Sequence, residues 1–200
     1  DVSPHNVMIS FQGEVKLFDF GIARLVGESE PVEGMPGGGK YAYMSPEQAS
    51  GRPMDHRSDL YSAGVVLYEL LVGHRLFQDP DPAEKLRKVR AAEIPDPRIE
   101  NPDIPDDLWE IVSAMLAKSP EDRPDHAGEA EEALWAFLYR HNLRADAHGL
   151  AAFMSSCFPD EANLDPGIAD LEGLASDLRR LEGGATNLTD ISAIESPTIT

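Results

Sequence analysis

The sequence predicts a mainly helical chain that begins with a small β-hairpin. Two short apolar runs rich in β-branched residues, at positions 6–11 and 15–18, indicate the hairpin. Residues 58–72 are apolar on nearly every face, which is typical of a helix buried in a core. Weaker helical patterns follow at residues 83–90, 107–117 and 126–143.

The hairpin prediction depends on the residues between the two runs. Gln12, Gly13 and Glu14 interrupt the apolar pattern, and a short connection that contains glycine is typical of a tight turn between antiparallel strands. Side chains at the two outer ends of such a hairpin are expected to lie close together.

The limits of the central helix can also be predicted. Ser58 and Asp59 are both good N-cap residues, and Gly73 is a favoured C-cap. We therefore expect the helix to begin at Ser58 and to end at Val72.

The charge and cysteine content exclude several classes of function. A net charge of −19 and a pI near 4.5 argue against nucleic-acid binding, which requires clustered Lys and Arg. Cys157 is the only cysteine, so no internal disulfide can form, and the cytoplasm is the expected compartment. No run approaches the ~20 apolar residues that cross a bilayer. These 200 residues are thus expected to contain no membrane segment, which leaves anchoring by other regions open.

Three oxygen-bearing residues lie at the ends of the predicted hairpin. Asp1 stands five positions before Asn6, and the triplet Asp-Phe-Gly that begins at Asp19 follows the second strand. Mg²⁺ prefers a few carboxylate or amide oxygens as its protein ligands. Two ligands at opposite ends of one hairpin could therefore meet at one ion.

These motifs, with Ser-Pro-Glu ending at Glu47 and Arg123 near the end of the helical region, resemble the C-terminal lobe of Ser/Thr protein kinases. The resemblance implies ATP and Mg²⁺ as cofactors and a protein as substrate. It makes Asp1 the acceptor of the substrate hydroxyl's proton, and Asn6 and Asp19 the residues that bind magnesium. Pro4 and the lack of a tyrosine-kinase pattern favour Ser/Thr specificity.

The same resemblance gives three residues architectural roles. It pairs Glu47 with Arg123 in a buried ion pair, whose loss costs about 3 to 5 kcal/mol when one partner is removed. It also makes Asp59 the residue that caps the central helix and holds the backbone amides of the loop at Asp1.

The sequence departs from the family at two positions near the proposed site. Ser3 stands where the family usually has a Lys that steadies the transferred phosphoryl group, and Lys40 follows Gly39 where a Thr is usual. Our hypothesis is that Lys40 supplies the missing charge and that Ser3 takes the role of the hydroxyl. The alternative is that Lys40 is a solvated loop residue and the enzyme is impaired.

Three regions are predicted along the chain: a kinase C-lobe at 1–143, a helical extension at 144–182 and a disordered tail at 183–200. Leucines spaced three or four apart at 171–181 suit a short helix better than a coiled coil. The sequence has no Gly-rich phosphate loop and lacks the Lys that kinases carry on a strand of the N-terminal lobe. The chain alone is therefore expected to be inactive. The competing interpretation is a pseudokinase or scaffold lobe that acts through protein binding.

Overall fold

The computed structural model describes residues 2–19 and 40–162. Most of the loop before Lys40, the leucine-spaced segment 171–181 and the tail 183–200 lie outside the described residues, so the predictions for them stay predictions. Within the described part, a two-stranded antiparallel hairpin precedes seven helices. The mainly helical fold with one small hairpin is confirmed.

The hairpin consists of β1 (Val7–Ile9) and β2 (Val15–Leu17). Val7 pairs with Leu17, and Ile9 pairs with Val15. The strands are shorter than the apolar runs because residue 6 closes a 3₁₀ turn, Pro4–Asn6, directly before β1. Gly13 turns the chain with φ +78°, a conformation that suits glycine.

The central helix α2 (Arg57–Val72) has buried residues on most of its faces. Gly73 ends it in the left-handed conformation, and its N–H donates to Glu69 O at 2.8 Å. The C-cap is thus the one expected from the sequence. The start differs by one residue, and the reason lies in the contacts described below.

Six further helices complete the described fold: α1 (Pro46–Ala49), α3 (Pro82–Ala91), α4 (Asp106–Met115), α5 (Ala127–Arg140), α6 (Ala147–Cys157) and α7 (Pro159–Ala162). The weaker helical patterns thus correspond to α3, α4 and α5, with ends shifted by a few residues. The structure adds α1, which the sequence patterns did not indicate.

The core forms around α2. Its buried Tyr61, Val65 and Tyr68 pack in one apolar cluster with Val89 of α3 and Val112 of α4. Burial of such side chains contributes about 1.5 to 3 kcal/mol each. The segment just before α1 joins the same cluster, so α2 fixes the position of residues 42–49.

The chain divides into two compact units, Asp1–Ala151 and Ala152–Thr200. The described residues of the second unit are 152–162, which form the end of α6 and the whole of α7. In residues 2–19 and 40–162, no helix has the length and apolar character needed to cross a membrane.

Candidate functional site

The hairpin brings Asn6 and Asp19 together, as its geometry predicts. The N–H of Phe18 donates to Asn6 O at 2.7 Å, which extends the pairing beyond the strands. The side chain of Asn6 is buried and donates from Nδ2 to Asp19 O at 3.4 Å. Because the nitrogen makes this bond, the ligand that Asn6 can offer a cation is its oxygen Oδ1.

Asp19 has an uncommon backbone conformation. Its φ is +54°, in the left-handed region that few residues other than glycine adopt. Aspartate tolerates this region better than most residues, and such conformations cluster at functional sites. The side chain of Asp19 is exposed at the end of the hairpin.

An amide oxygen and a carboxylate form a donor set that fits magnesium. Mg²⁺ is bound in proteins by one or two oxygen ligands, with phosphate and water completing its shell. Residues 2–19 and 40–162 contain no group of three His, Cys, Asp or Glu side chains that could hold a metal. With two protein ligands, most of the coordination shell of a magnesium ion would be left for phosphate and water.

The other predicted site residues are described less fully. Asp1 lies outside the described residues. Lys40 begins a 3₁₀ turn, Lys40–Tyr43, but its side chain is likewise outside the described part. Ser3 is 4% exposed and precedes the 3₁₀ turn at Pro4 without a side-chain cap bond. The exchange of roles between Ser3 and Lys40 therefore remains a hypothesis.

Glu47 and Arg123 form a buried bidentate ion pair. Arg123 donates from Nη1 to Glu47 Oε1 at 2.7 Å and from Nη2 to Oε2 at 2.8 Å. Their side chains are 3% and 0% exposed. Ser45 positions Glu47, because a reciprocal capping box between Ser45 and Gln48 starts α1 and places Glu47 in its first turn.

Additional hydrogen bonds satisfy the rest of this pair. The Arg123 guanidinium donates to the carbonyls of Ala117, Arg57 and Lys118 at 2.8, 3.0 and 3.1 Å. Burial by itself raises the pKa of the Glu47 carboxyl, but hydrogen bonds led by the one from Arg123 outweigh it and hold the pKa at about 2. The carboxylate therefore stays charged at any physiological pH.

The start of α2 corrects the predicted caps. The helix begins at Arg57, whose N–H donates to Asp55 Oδ1 at 2.9 Å. Ser58 is the second residue of the helix rather than its cap, and its hydroxyl donates to Glu47 Oε1 at 2.7 Å. Asp59 is the third residue of the helix, and His56 rather than Asp59 occupies the N-cap position. The predicted hold of Asp59 on the loop at Asp1 stays a prediction, since Asp1 is not described.

Sequence reasoning also missed the contacts of Glu69, a residue of α2, one of which reaches the segment before α1. The hydroxyl of Tyr43 donates to Glu69 Oε2 at 2.8 Å, and the N–H of Leu76 donates to Glu69 Oε1 at 3.0 Å. Burial, followed by the bond to Glu69, raises the pKa of Tyr43 to about 12. The only signal in the sequence is a lone Glu within an apolar helix, which indicates a partner but does not identify it.

The model of the protein kinase domain family matches residues 1–136, which is more than half of the chain. The chain therefore belongs to the protein kinase domain family, as the motifs predicted. The match ends shortly before the last residue of α5.

Bacterial protein kinases are among the curated relatives. The chain is 39% identical over 163 residues to the tyrosine-protein kinase MasK of Myxococcus xanthus, covering 80% of this chain and 25% of MasK. It is 44% identical over 131 residues to the serine/threonine-protein kinase PknB of Mycobacterium leprae, covering 64% of this chain and 21% of PknB. The chain thus spans about a quarter of the length of these relatives.

A solved structure gives the same family. The twitchin kinase region from C. elegans matches with a TM-score of 0.54 and 28% identity, over 68% of this chain and 24% of that one. The helical arrangement around α2 is therefore that of a protein kinase, and the predicted fold class is confirmed.

Proposed function

We propose that the protein containing this chain is a protein Ser/Thr kinase that transfers the γ-phosphate of MgATP to a hydroxyl of a protein substrate. The observation that carries the proposal is the contact between the Asn6 amide and Asp19 at the end of the hairpin. In a chain of the protein kinase family, this contact supports the proposal that Asn6 and Asp19 bind magnesium together.

Each residue has a definite task in this proposal. Asn6 and Asp19 hold magnesium, which when bound neutralises charge on the phosphate oxygens. The oxygen of the substrate hydroxyl bonds to the γ-phosphorus while Asp1 accepts the proton of that hydroxyl. The bond from the γ-phosphorus to the β-phosphate oxygen breaks in the same step. The buried pair of Glu47 and Arg123 fixes the segment on which the substrate is expected to lie.

The test is transfer of label from γ-labelled ATP to a generic protein substrate by the longer protein. Asp19→Asn should lower the rate by about 10²-fold or more, because it removes a charged metal ligand. Glu14→Gln is the matched control, since it neutralises an exposed carboxylate on the same hairpin and should leave the rate unchanged. Equal rates for wild type and Asp19→Asn would refute the proposal, and no labelling by folded wild type would favour the pseudokinase alternative.

The residue type that accepts phosphate needs its own measurement. The loop at Pro4 and the similarity to PknB favour Ser and Thr, whereas MasK is a tyrosine-protein kinase. Phosphoamino-acid analysis of the labelled substrate distinguishes the two. Phosphotyrosine as the main product would overturn the Ser/Thr assignment and leave the kinase assignment intact.

We further propose that Lys40 supplies the positive charge that Ser3 does not. A Lys stem is long and flexible enough to carry its ammonium from a neighbouring loop to a phosphate. In the longer protein, Lys40→Met should lower turnover by about 10²-fold or more, and Lys40→Arg should retain much of it. Lys16→Met removes an exposed charge of β2 and serves as the control. Normal turnover by Lys40→Met would leave Lys40 as a solvated residue.

The 200 residues by themselves should not catalyse this reaction. Protein kinases position the ATP phosphates with a Gly-rich loop and with a Lys on a strand of the N-terminal lobe, and neither of these two motifs occurs in this sequence. Comparing the 200-residue chain with the longer protein in the same labelling assay tests this, and incorporation by the chain alone would contradict it.

A further inference from the structure

Gly13 is unusual in the hairpin because it is buried. The neighbouring residues from Met8 to Asp19 are exposed or only half-buried, and the apolar Met8 and Val15 are 59% and 58% exposed. Some other part of the chain must therefore cover the turn. The cover is Ala147, the first residue of α6.

The contact leaves no room for a side chain at position 13. A Cβ added to Gly13 would lie closer than 3.0 Å to the Cα, the carbonyl carbon and the carbonyl oxygen of Ala147. All three are main-chain atoms, which cannot move aside as the end of a flexible side chain could. The close approach requires glycine for its size as well as for its positive φ.

Both sides of the contact are held in place by their own hydrogen bonds. On the hairpin, Ser10 Oγ accepts from the N–H groups of Gln12 and Glu14 at 3.2 and 3.1 Å, and Ser10 O accepts from Gly13 N at 2.9 Å. On α6, Asp146 Oδ1 accepts from Gly149 N at 2.7 Å. Two preformed surfaces therefore meet at Gly13 and Ala147.

We propose that the start of α6 is a docking element for the turn of the hairpin whose other end carries Asn6 and Asp19. Ala147 lies beyond residue 136, where the match to the kinase family ends, so the contact belongs to the extension of this chain. Each strand has three residues, which places the turn about 10 Å from the candidate magnesium ligands. The extension thereby restrains a segment that is otherwise largely exposed.

The first experiment compares two glycine variants of the full chain by amide hydrogen exchange. Gly13→Ala and Gly73→Ala both place a Cβ on a backbone of positive φ, +78° and +79°, but a Cβ at Gly73 meets nothing within 4 Å. Gly13→Ala should speed exchange at residues 147–151 by about tenfold or more, and Gly73→Ala should leave it unchanged. Unchanged exchange at 147–151 in folded Gly13→Ala would overturn the proposal.

A second pair of variants tests the contact from the side of α6 and leaves the sequence of the turn unchanged. Asp146→Ala removes the bond at the start of α6, and Asp81→Ala removes a similar bond at the start of α3, where Asp81 Oδ1 accepts from Ala83 N at 3.0 Å. Asp146→Ala should speed exchange of the Gly13 and Glu14 amides, whereas Asp81→Ala should not. Equal exchange of these amides in both variants would also overturn the docking. Neither measurement requires kinase activity, so the result is independent of the proposed function.

Discussion

Replacing Glu47 by Gln should destabilise the fold more than most single substitutions. The change keeps the shape of the side chain but leaves the guanidinium of Arg123, 0% exposed, without its counter-charge. The pKa of Glu47 falls from 4.5 to about 2 on folding, which corresponds to about 3 kcal/mol at neutral pH. This agrees with the cost of about 3 to 5 kcal/mol for breaking a buried pair, a large part of a typical stability of about 5 to 15 kcal/mol.

The assay is urea unfolding of the 200-residue chain at neutral pH, followed by circular dichroism. With a urea dependence of about 2 kcal/mol per molar, Glu47→Gln should lower the midpoint by about 1.5 M. Glu84→Gln is the matched control. It breaks the Arg87–Glu84 pair, whose side chains are 62% and 39% exposed, and should leave the midpoint almost unchanged.

A double variant separates the cost of an unpaired charge from the loss of packing. Glu47→Leu with Arg123→Met removes both charges, so it should recover much of the stability that Glu47→Gln loses. A midpoint for Glu47→Gln within 0.3 M of wild type, roughly 0.6 kcal/mol at the same urea dependence, would refute the reasoning. It would mean that solvent or another group replaces the carboxylate without cost.

Three more measurements test the same core. Folding lowers the pKa of Glu47, so its contribution to stability should be complete above pH 4.5 and should disappear as the pH falls to about 2. Wild type and Glu47→Gln should therefore become equally stable near pH 2. A constant difference in stability between them over this pH range, measured by acid unfolding, would contradict this. Gly64→Ala should lower the free energy of unfolding by about 1 to 3 kcal/mol in urea, because the new Cβ would lie 3.0 Å from Met115 Cβ. A higher stability, as the helix propensity of Ala alone would give, would show that α4 moves aside at little cost. Tyr61→Phe should leave the stability unchanged or raise it, because within the described residues the Tyr61 hydroxyl is buried without a hydrogen-bond partner. The ring of the variant would still pack against the Arg123 guanidinium. A loss of more than about 1 kcal/mol in the free energy of unfolding would reveal a partner for that hydroxyl.

The elements with a clear apolar period were predictable from the sequence. The all-round apolar pattern predicted α2 as the central helix, and Gly73 marked its end, because both signals are local. The role of Ser58 was missed because its hydroxyl donates to the carboxylate of Glu47, which lies in another element. A tertiary contact of this kind overrides the local preference and leaves no trace in the neighbouring residues.

The candidate site divides in the same way. Asn6 and Asp19 could be placed together from the hairpin alone, since their separation is fixed by two short paired strands. The capping box of Ser45 and Gln48 that starts α1 was overlooked, although a Ser followed three residues later by Gln is its usual sequence pattern. The contact of Gly13 with Ala147 could not be predicted from the sequence, because a glycine in a turn is already explained by its positive φ.

The ion pair of Glu47 and Arg123 also constrains the order in which the chain can fold. The two residues are separated by 76 positions. At a synthesis rate of about 5 to 20 residues per second, Glu47 emerges about 4 to 15 s before its partner exists. Helices such as α2 can form in that interval, since their contacts are local, but the segment around Glu47 cannot be locked in place until almost the whole lobe has been made. The pair therefore forms late and fixes the segment around Glu47 only after the helices that pack against it are complete.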